Sequence, residues 1–344
     1  MNSTIPRPFI QQDHNPTALL QLSLACKAAG DPLRLAILRL LGQGAFGVLE
    51  LCHIFATKQS SMSHHLKVLA QAGLVSAQRE GNSIFYRRPL LTEQDDWSQW
   101  LQATFATVDR CLMVDQDRID NAVLDVMQER ADACAEFFAR HANDFKEQQD
   151  LIASFDQYGD ALDALIASLT HHRRAHTALE IGPGEGAFLV TLARHFQQVV
   201  ALDISSTLLS QAESRCQQHS LKNIRFVHGD TLQLGESDNN RFDLVAANMV
   251  LHHAPAPRFI FQESARLLQP GGTLLITDLC RHEQTWAKES CGDLWLGFEP
   301  DDLTNWAHDA GLVESQSQFL GLRNGFQIQF RLFMKRLTNT HTIT

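Results

Sequence analysis

No two cysteines of this chain stand in a C-x-x-C spacing, and the seven present, at positions 26, 52, 111, 134, 216, 280 and 291, form an odd, dispersed set. Such a set argues against a disulfide framework and for a reducing compartment, where most isolated thiols serve as small buried apolar groups. Long apolar runs are missing as well: no window approaches the ~18 consecutive apolar residues that a membrane-spanning helix requires. Residues Met1 to Asn15 lack the basic-then-apolar order of a secretion signal. These absences lead us to expect a cytoplasmic protein without a membrane partner.

What is present is length and segregated charge. At 344 residues, the chain has room for two domains or more at roughly 150 residues each. Its net charge of −10 conceals a division: residues 1–91 carry nine Lys/Arg against four Asp/Glu (+5), leaving 20 against 35 (−15) for residues 92–344. A basic module attached to an acidic body is the distribution expected of a DNA-contacting N-terminal domain.

Residues 16–56 read as three short helices, Pro16 to Ala29, Leu33 to Leu41 and Val48 to Ala56. Asp31 suits the N-cap of the second and Pro32 its first helical position. A fourth helix, Ser60 to Gln71, carries Met62, Leu66 and Leu69 on one apolar stripe. Gln59, Ser60, Ser61, Ser63, His64 and Lys67 occupy its other face, and such short polar and cationic groups reach bases or phosphates in a major groove. Beyond Gly73, the runs Leu74 to Arg79 and Ser83 to Arg88 flank Glu80-Gly81-Asn82 and read as a hairpin. Arg79, Arg87 and Arg88 place cations on it, as a wing lying along a phosphate backbone requires.

Two stretches, Ala28-Ala29-Gly30-Asp31-Pro32-Leu33-Arg34-Leu35-Ala36-Ile37-Leu38 and Ser63-His64-His65-Leu66-Lys67-Val68-Leu69-Ala70-Gln71-Ala72-Gly73-Leu74-Val75, closely resemble the winged-helix domain of ArsR-type bacterial repressors, over about residues 18–90. The resemblance implies a winged helix-turn-helix, mainly α with a β-hairpin wing, that binds a double-stranded DNA operator as a homodimer. Metal-sensing members of that family often carry C-x-C in the helix before the recognition helix. Here the matching stretch is Leu51-Cys52-His53-Ile54, so Ile54 holds the second thiol position. Soft metals need two or three converging thiolates, and neighbours on a helix point about 100° apart. Cys52 therefore reads as a structural thiol, and no metal is expected.

Residues 92–170 are helical by pattern, with Trp97, Trp100, Leu101 and Phe105 on one stripe and Phe137, Phe138, Phe145, Ile152 and Phe155 later. The ArsR resemblance implies that Asp95 to Arg110 belongs to a dimer interface. The expected organisation is multidomain: DNA-binding residues 1–91, a helical dimerisation and connector segment 92–170, an α/β domain 171–336 and a flexible tail 337–344. His171-His172-Arg173-Arg174 reads as a solvated link.

At Leu179-Glu180-Ile181-Gly182-Pro183-Gly184-Glu185-Gly186, an apolar strand end runs into a G-x-G-x-G turn, with an amphipathic helix following from Ala187 to Phe196. Glycines let backbone N–H groups approach a ligand at a helix N-terminus, and an acid one strand later, Asp203, can accept both hydroxyls of a ribose. A dinucleotide fingerprint would need its third glycine one place beyond Gly186, so the turn asks for a nucleoside other than NAD. The apolar runs Thr177 to Ile181, Val199 to Leu202, Ile224 to Val227, Phe242 to Ala246 and Thr273 to Thr277 alternate with helical stretches. That alternation predicts a parallel sheet covered on both faces, an α/β Rossmann-like doubly wound domain. Asp230 and Thr231 end the third run, and Asn248, His252 and His253 follow the fourth, at the carboxyl edge where open α/β sheets bind ligands.

The glycine turn, those two strand ends and Leu267-Leu268-Gln269-Pro270-Gly271-Gly272-Thr273-Leu274, in this order, resemble class I S-adenosylmethionine (SAM) methyltransferases over residues 177–280. The resemblance implies that SAM, or its product S-adenosylhomocysteine (SAH), is held by Glu180, Gly182, Gly184, Gly186, Asp203, Ile204, Asp230, Thr231 and Asn248. Asp203 would take the ribose and Asp230 the adenine amino group. Tyr158 either lies over the ligand or is a half-buried core tyrosine. Asn248, His252 and His253 fall near the sulfonium, and each histidine is either a base toward the acceptor or plain structure. No Asn-Pro-Pro-Tyr or Pro-Cys run follows the fourth strand, which disfavours DNA-base methylation, and Cys280 with Cys291 argue only weakly for an arsenite methylase. Trp286, Trp295, Leu296, Gly297 and Phe298 suit a lid over an apolar acceptor. Two functions stay open: a transcriptional regulator whose operator binding follows SAM or SAH, and an active methyltransferase on a small molecule whose DNA-binding domain controls its own expression.

Overall fold

The computed structural model describes residues 16–91, 95–141, 145–171 and 176–337. The segment read for a secretion signal, His172 to Arg174, and the tail beyond residue 337 lie outside the described residues. The chain divides into two compact units, one comprising residues to 78 and 84–117, the other 79–83 and 118 onward. The stretch expected as one connector is thus shared between them, with the boundary at Asp117 and Arg118.

In the first unit, α1 (Pro16–Ala29), α2 (Pro32–Leu40), β1 (Phe46–Gly47), α3 (Val48–Ile54), α4 (Gln59–Gln71), β2 (Ser76–Glu80, except residues 79 and 80), β3 (Ser83–Arg87, except residue 83) and α5 (Asp96–Arg110) follow in order. Asp31 starts α2 by accepting from the Arg34 amide at 3.0 Å, which satisfies one of the donors left open in a first helical turn. Met62, Leu66 and Leu69 of α4 are wholly buried, so its polar face is turned outward by packing. Gly73 ends the helix at φ +70°. One strand was not expected: Phe46 pairs antiparallel with Tyr86, giving a three-stranded order β1-β3-β2. Two residues are too few to display a strand period. Leu101, Phe105 and Val108 of α5 are buried inside this unit.

In the second unit, α6 (Gln116–His141), α7 (Phe145–Ala153) and α8 (Phe155–Thr170) precede β4 (Thr177–Ile181), α9 (Ala187–His195), β5 (Gln198–Asp203), α10 (Ser206–Gln218), β6 (Ile224–His228), β7 (Phe242–Asn248), α11 (Pro257–Leu267), β8 (Leu268–Leu279), α12 (Trp286–Cys291), α13 (Pro300–Asp309), β9 (Leu312–Gly321) and β10 (Gln327–Lys335). The sheet order is β6-β5-β4-β7-β8-β10-β9. The first five run parallel, and β10 lies antiparallel between β8 and β9. The five expected strands therefore all form, joined by two further ones that the alternation did not show. Leu162 and Ile166 of α8, Phe188 and Leu192 of α9 and Ala178, Ala246 and Leu332 of the sheet share one buried core. Strand order reverses between β4 and β7, which opens a crevice at their carboxyl ends.

Candidate functional site

A cavity of about 890 Å³ occupies that crevice, lined by Gly182, Gly184, Asp203, Asp230, Asn248 and His253 among others. The turn after β4 is held in shape from within. Gly182, Gly184 and Gly186 adopt φ of +67°, +55° and +78°, and a Cβ at Gly182 would lie 2.4 Å from Val250 Cγ2. The Gly182 amide donates to Leu202 O at 2.8 Å and that of Gly186 to Pro183 O at 2.8 Å. Arg215 of α10 braces the turn, its Nε donating to Glu185 O at 2.9 Å and Nη2 to Glu185 Oε2 at 3.0 Å.

Asp203, at the end of β5, receives the Gly184 amide at 3.3 Å on one oxygen and the Ser205 amide at 2.8 Å on the other. Burial pushes its carboxyl up to about 6 against these amides, which favour the charged form. Asp230 Oδ1 accepts from the Leu232 amide at 2.9 Å, fixing the turn that buries Thr231. Ile204 and Thr231 also line the cavity. Glu180 does not. It is 1% exposed in β4, its Oε2 has no hydrogen-bond partner, and burial, reinforced by Asp203, pushes it up to about 8. Tyr158 is buried yet borders the cavity, and Asn248 Nδ2 lies 3.4 Å from its hydroxyl. Met249, next in line, sits at φ +53°, a costly conformation for a side chain that often marks a functional edge.

The two consecutive histidines divide. His253 lines the cavity, with Nδ1 3.2 Å from Gly292 O and Nε2 3.0 Å from Gln149 Nε2. A carbonyl only accepts, so the proton is on Nδ1 and Nε2 keeps a lone pair, which Gln149 donates to. Burial, together with the charge of His252, lowers its basicity well below the ordinary value. His252 lies behind it, fully buried, Nδ1 2.7 Å from Asp278 Oδ1. Burial acts to lower His252, but Asp278 and Asp293 outweigh it and push it up to about 9. The sequence reading found neither aspartate. Asp278 stands one residue before the end of β8, a position near a strand end like that of Asp203 in β5, whereas Asp293 lies in a loop with no such signal. The aromatic lid also differs from expectation: Trp295, Leu296 and Phe298 are buried, and neither they nor Trp286 border the cavity. Their place is taken by α6 and α7, with Leu124, Met127, Phe138 and Gln149.

On the first unit, Gln59, Ser60, Ser61, Ser63, His64 and Lys67 are all exposed along α4. Arg79 is exposed, its Nε donating to Gly81 O at 3.0 Å, and Arg87 is partly buried. Arg88 is engaged otherwise: its Nε donates to Leu38 O at 2.8 Å, Nη1 donates to Asp109 Oδ2 at 2.9 Å, and the guanidinium lies 4.6 Å from the Phe105 ring centre. A fork so occupied fastens α2 to α5 and is not presented to a phosphate. Cys52 is half-buried, and burial raises its thiol.

A helix-turn-helix domain model matches residues 29–76 and a methyltransferase domain model matches residues 179–276. The chain joins a helix-turn-helix domain to a methyltransferase domain. The ubiquinone biosynthesis O-methyltransferase of Coxiella burnetii is 28% identical over 147 residues, covering 39% of this chain and 62% of that protein. An uncharacterized methyltransferase of Mycobacterium bovis is 33% identical over 119 residues, covering 35% and 56%. The match thus spans less than two thirds of either relative. The crystal structure of the N-methyltransferase NodS from Bradyrhizobium japonicum with SAH aligns at 18% identity and a TM-score of 0.42, covering 56% of this chain and 97% of that one. The cavity described above belongs to the methyltransferase domain, and the exposed face of α4 belongs to the helix-turn-helix domain.

Proposed function

We propose that the methyltransferase domain binds SAM and passes its methyl group to an oxygen of a small, largely apolar acceptor, while the helix-turn-helix domain holds the chain on a DNA operator. The observation that carries this reading is that one cavity combines the glycine turn and Asp203 with an apolar wall of Leu124, Met127, Phe138 and Phe259, and that His253 borders the same space. The residues suit the ligand: Asn248 Oδ1 is buried without a partner, as befits a group waiting for a donor such as the SAM ammonium.

SAM supplies an electrophilic methyl on a sulfonium. Asp203 accepts the ribose hydroxyls, Asp230 takes the adenine amino group, and Asn248 with the Gly182 turn orients the amino-acid end. The apolar wall would receive the acceptor beside the methyl group. His253 Nε2, released from Gln149, takes the hydroxyl proton as the oxygen–carbon bond forms, leaving SAH. Incubation with SAM and a panel of hydroxylated apolar compounds should produce SAH. His253→Ala should lower kcat by roughly 10²- to 10⁴-fold with SAH affinity retained, and an unchanged kcat would remove the base.

A second reading is favoured by the presence of a DNA reader on the same chain: SAM or SAH alters operator affinity. A coupling of about 1–3 kcal/mol would change it 5- to 150-fold. Fluorescence anisotropy with upstream DNA, without ligand, with SAM and with SAH, decides it, and equal affinities in the three states would set the reading aside.

A further inference from the structure

We propose that His252, His253 and Asp293 bind a divalent transition-metal ion of the zinc or iron(II) type. One donor atom from each of the three lies within 4.8 Å of the others. His252 Nε2 and His253 Nδ1 stand 3.9 and 3.8 Å from Asp293 Oδ1. Tetrahedral ligands at zinc distances are about 3.4 Å apart, and the two histidine–aspartate separations lie within a few tenths of an ångström of that spacing.

The independent observation is an accumulation of unmet polar valence. His252 Nε2 and both Asp293 carboxylate oxygens are buried without a hydrogen-bond partner. Leaving one such group unpaired in a protein interior is costly, and three on two neighbouring side chains call for an occupant. A proton shared by His252 and Asp293 is a poor one, because 3.9 Å is too long for a hydrogen bond. An ion satisfies all three atoms together. The second layer is also built. Asp278 accepts His252 Nδ1–H at 2.7 Å and is itself fixed by the amides of Leu251 and Leu279, each at 2.8 Å. Because Asp278 holds the Nδ1 proton of His252, the proton that an ion displaces is the one on Nε2, the atom then presented to the metal. Two imidazoles and one carboxylate select borderline ions over calcium or magnesium and leave a coordination position open.

Resting on the base proposed above, the site has a further consequence. To ligate through Nδ1, His253 must release Gly292 O, and its proton moves from Nδ1 to Nε2. Gln149 then turns its carbonyl oxygen to that proton, and the lone pair toward the acceptor is gone. The bound ion therefore brakes methyl transfer.

The test is titration of the chelator-treated full-length protein with Co²⁺, read by visible absorption, followed by competition with Zn²⁺. One ion per chain is expected. Asp293→Asn and His252→Gln should weaken binding at least tenfold, and Asp278→Asn 10- to 100-fold. No binding at micromolar ion, or unaltered binding in Asp293→Asn, overturns the site. If the variants do not fold, X-ray absorption of the zinc-loaded wild type must show two imidazoles and no sulfur, and a sulfur shell would refute it. These readings need neither SAM nor acceptor, so they stand apart from any failure of the methyltransferase reading. Where turnover is measurable, Zn²⁺ should suppress it, and a rise on adding zinc would refute the brake.

Discussion

Asp203 and Glu180 are buried carboxyls on adjacent strands, β5 and β4, yet only Asp203 reaches the cavity. Their different surroundings give opposite experiments. Asp203, pushed up to about 6 by burial, accepts ribose hydroxyls best as the anion, so SAH affinity should rise with pH through about 6 and level off above it. Calorimetry between pH 5 and 7.5 tests this, and a flat profile would detach Asp203 from the ligand. Asp203→Ala should weaken SAH binding roughly 10- to 100-fold, the scale of one or two hydrogen bonds to a charged group. Glu180 holds its proton to about 8 when folded against an ordinary 4.5. The folded chain therefore binds more protons than the unfolded chain between those limits, so stability is greatest at the acid end of this window and declines as pH rises through 8. Glu180→Gln should raise the melting temperature at pH 8.5 and flatten its dependence on pH. A variant with the wild-type slope would place the titration elsewhere.

At the scale of elements, the turn between β4 and α9 was legible because its chemistry is local. Three positive-φ glycines leave a fixed spacing that nothing else in the chain produces. Gly182→Ala should cost about 1–3 kcal/mol, from the strained φ and the approach to Val250, and abolish SAH binding; chemical denaturation and calorimetry read the two effects. The outward face of α4 was equally legible, since the spacing of Met62, Leu66 and Leu69 fixes which side is buried. The wing arginines were not separable by sequence. Arg87→Ala should lower the salt slope of operator binding by about one unit, whereas Arg88→Ala should destabilise the first unit and leave the slope unchanged. The last two strands stayed hidden for opposite reasons. β9 is mostly exposed and reads Glu314-Ser315-Gln316-Ser317-Gln318, with no apolar signature, and β10 is buried along nearly its whole length. The histidine site was half legible: His252 and His253 announce themselves, but Asp278 and Asp293 join them only through the fold.

For the molecule as a whole, α1 leaves Leu19, Leu20 and Leu24 exposed at 75%, 61% and 46%, while α5 buries Leu101, Phe105 and Val108 and leaves Trp97 and Trp100 half-buried. A homodimer closing over α1 would cover those leucines. Leu20→Glu should therefore yield monomers in sedimentation and weaken operator binding; an unaltered dimer would move the interface to another surface. Among the described residues no helix is long and apolar enough to cross a membrane. The position of β10 also fixes the order of synthesis and closure. This strand lies between β8 and β9, burying Ile328, Phe330, Leu332 and Phe333, yet it is the last of the seven to leave the ribosome. The methyltransferase sheet cannot close before it, and a chain halted before Gln327 would carry a sheet with β8 open at its edge.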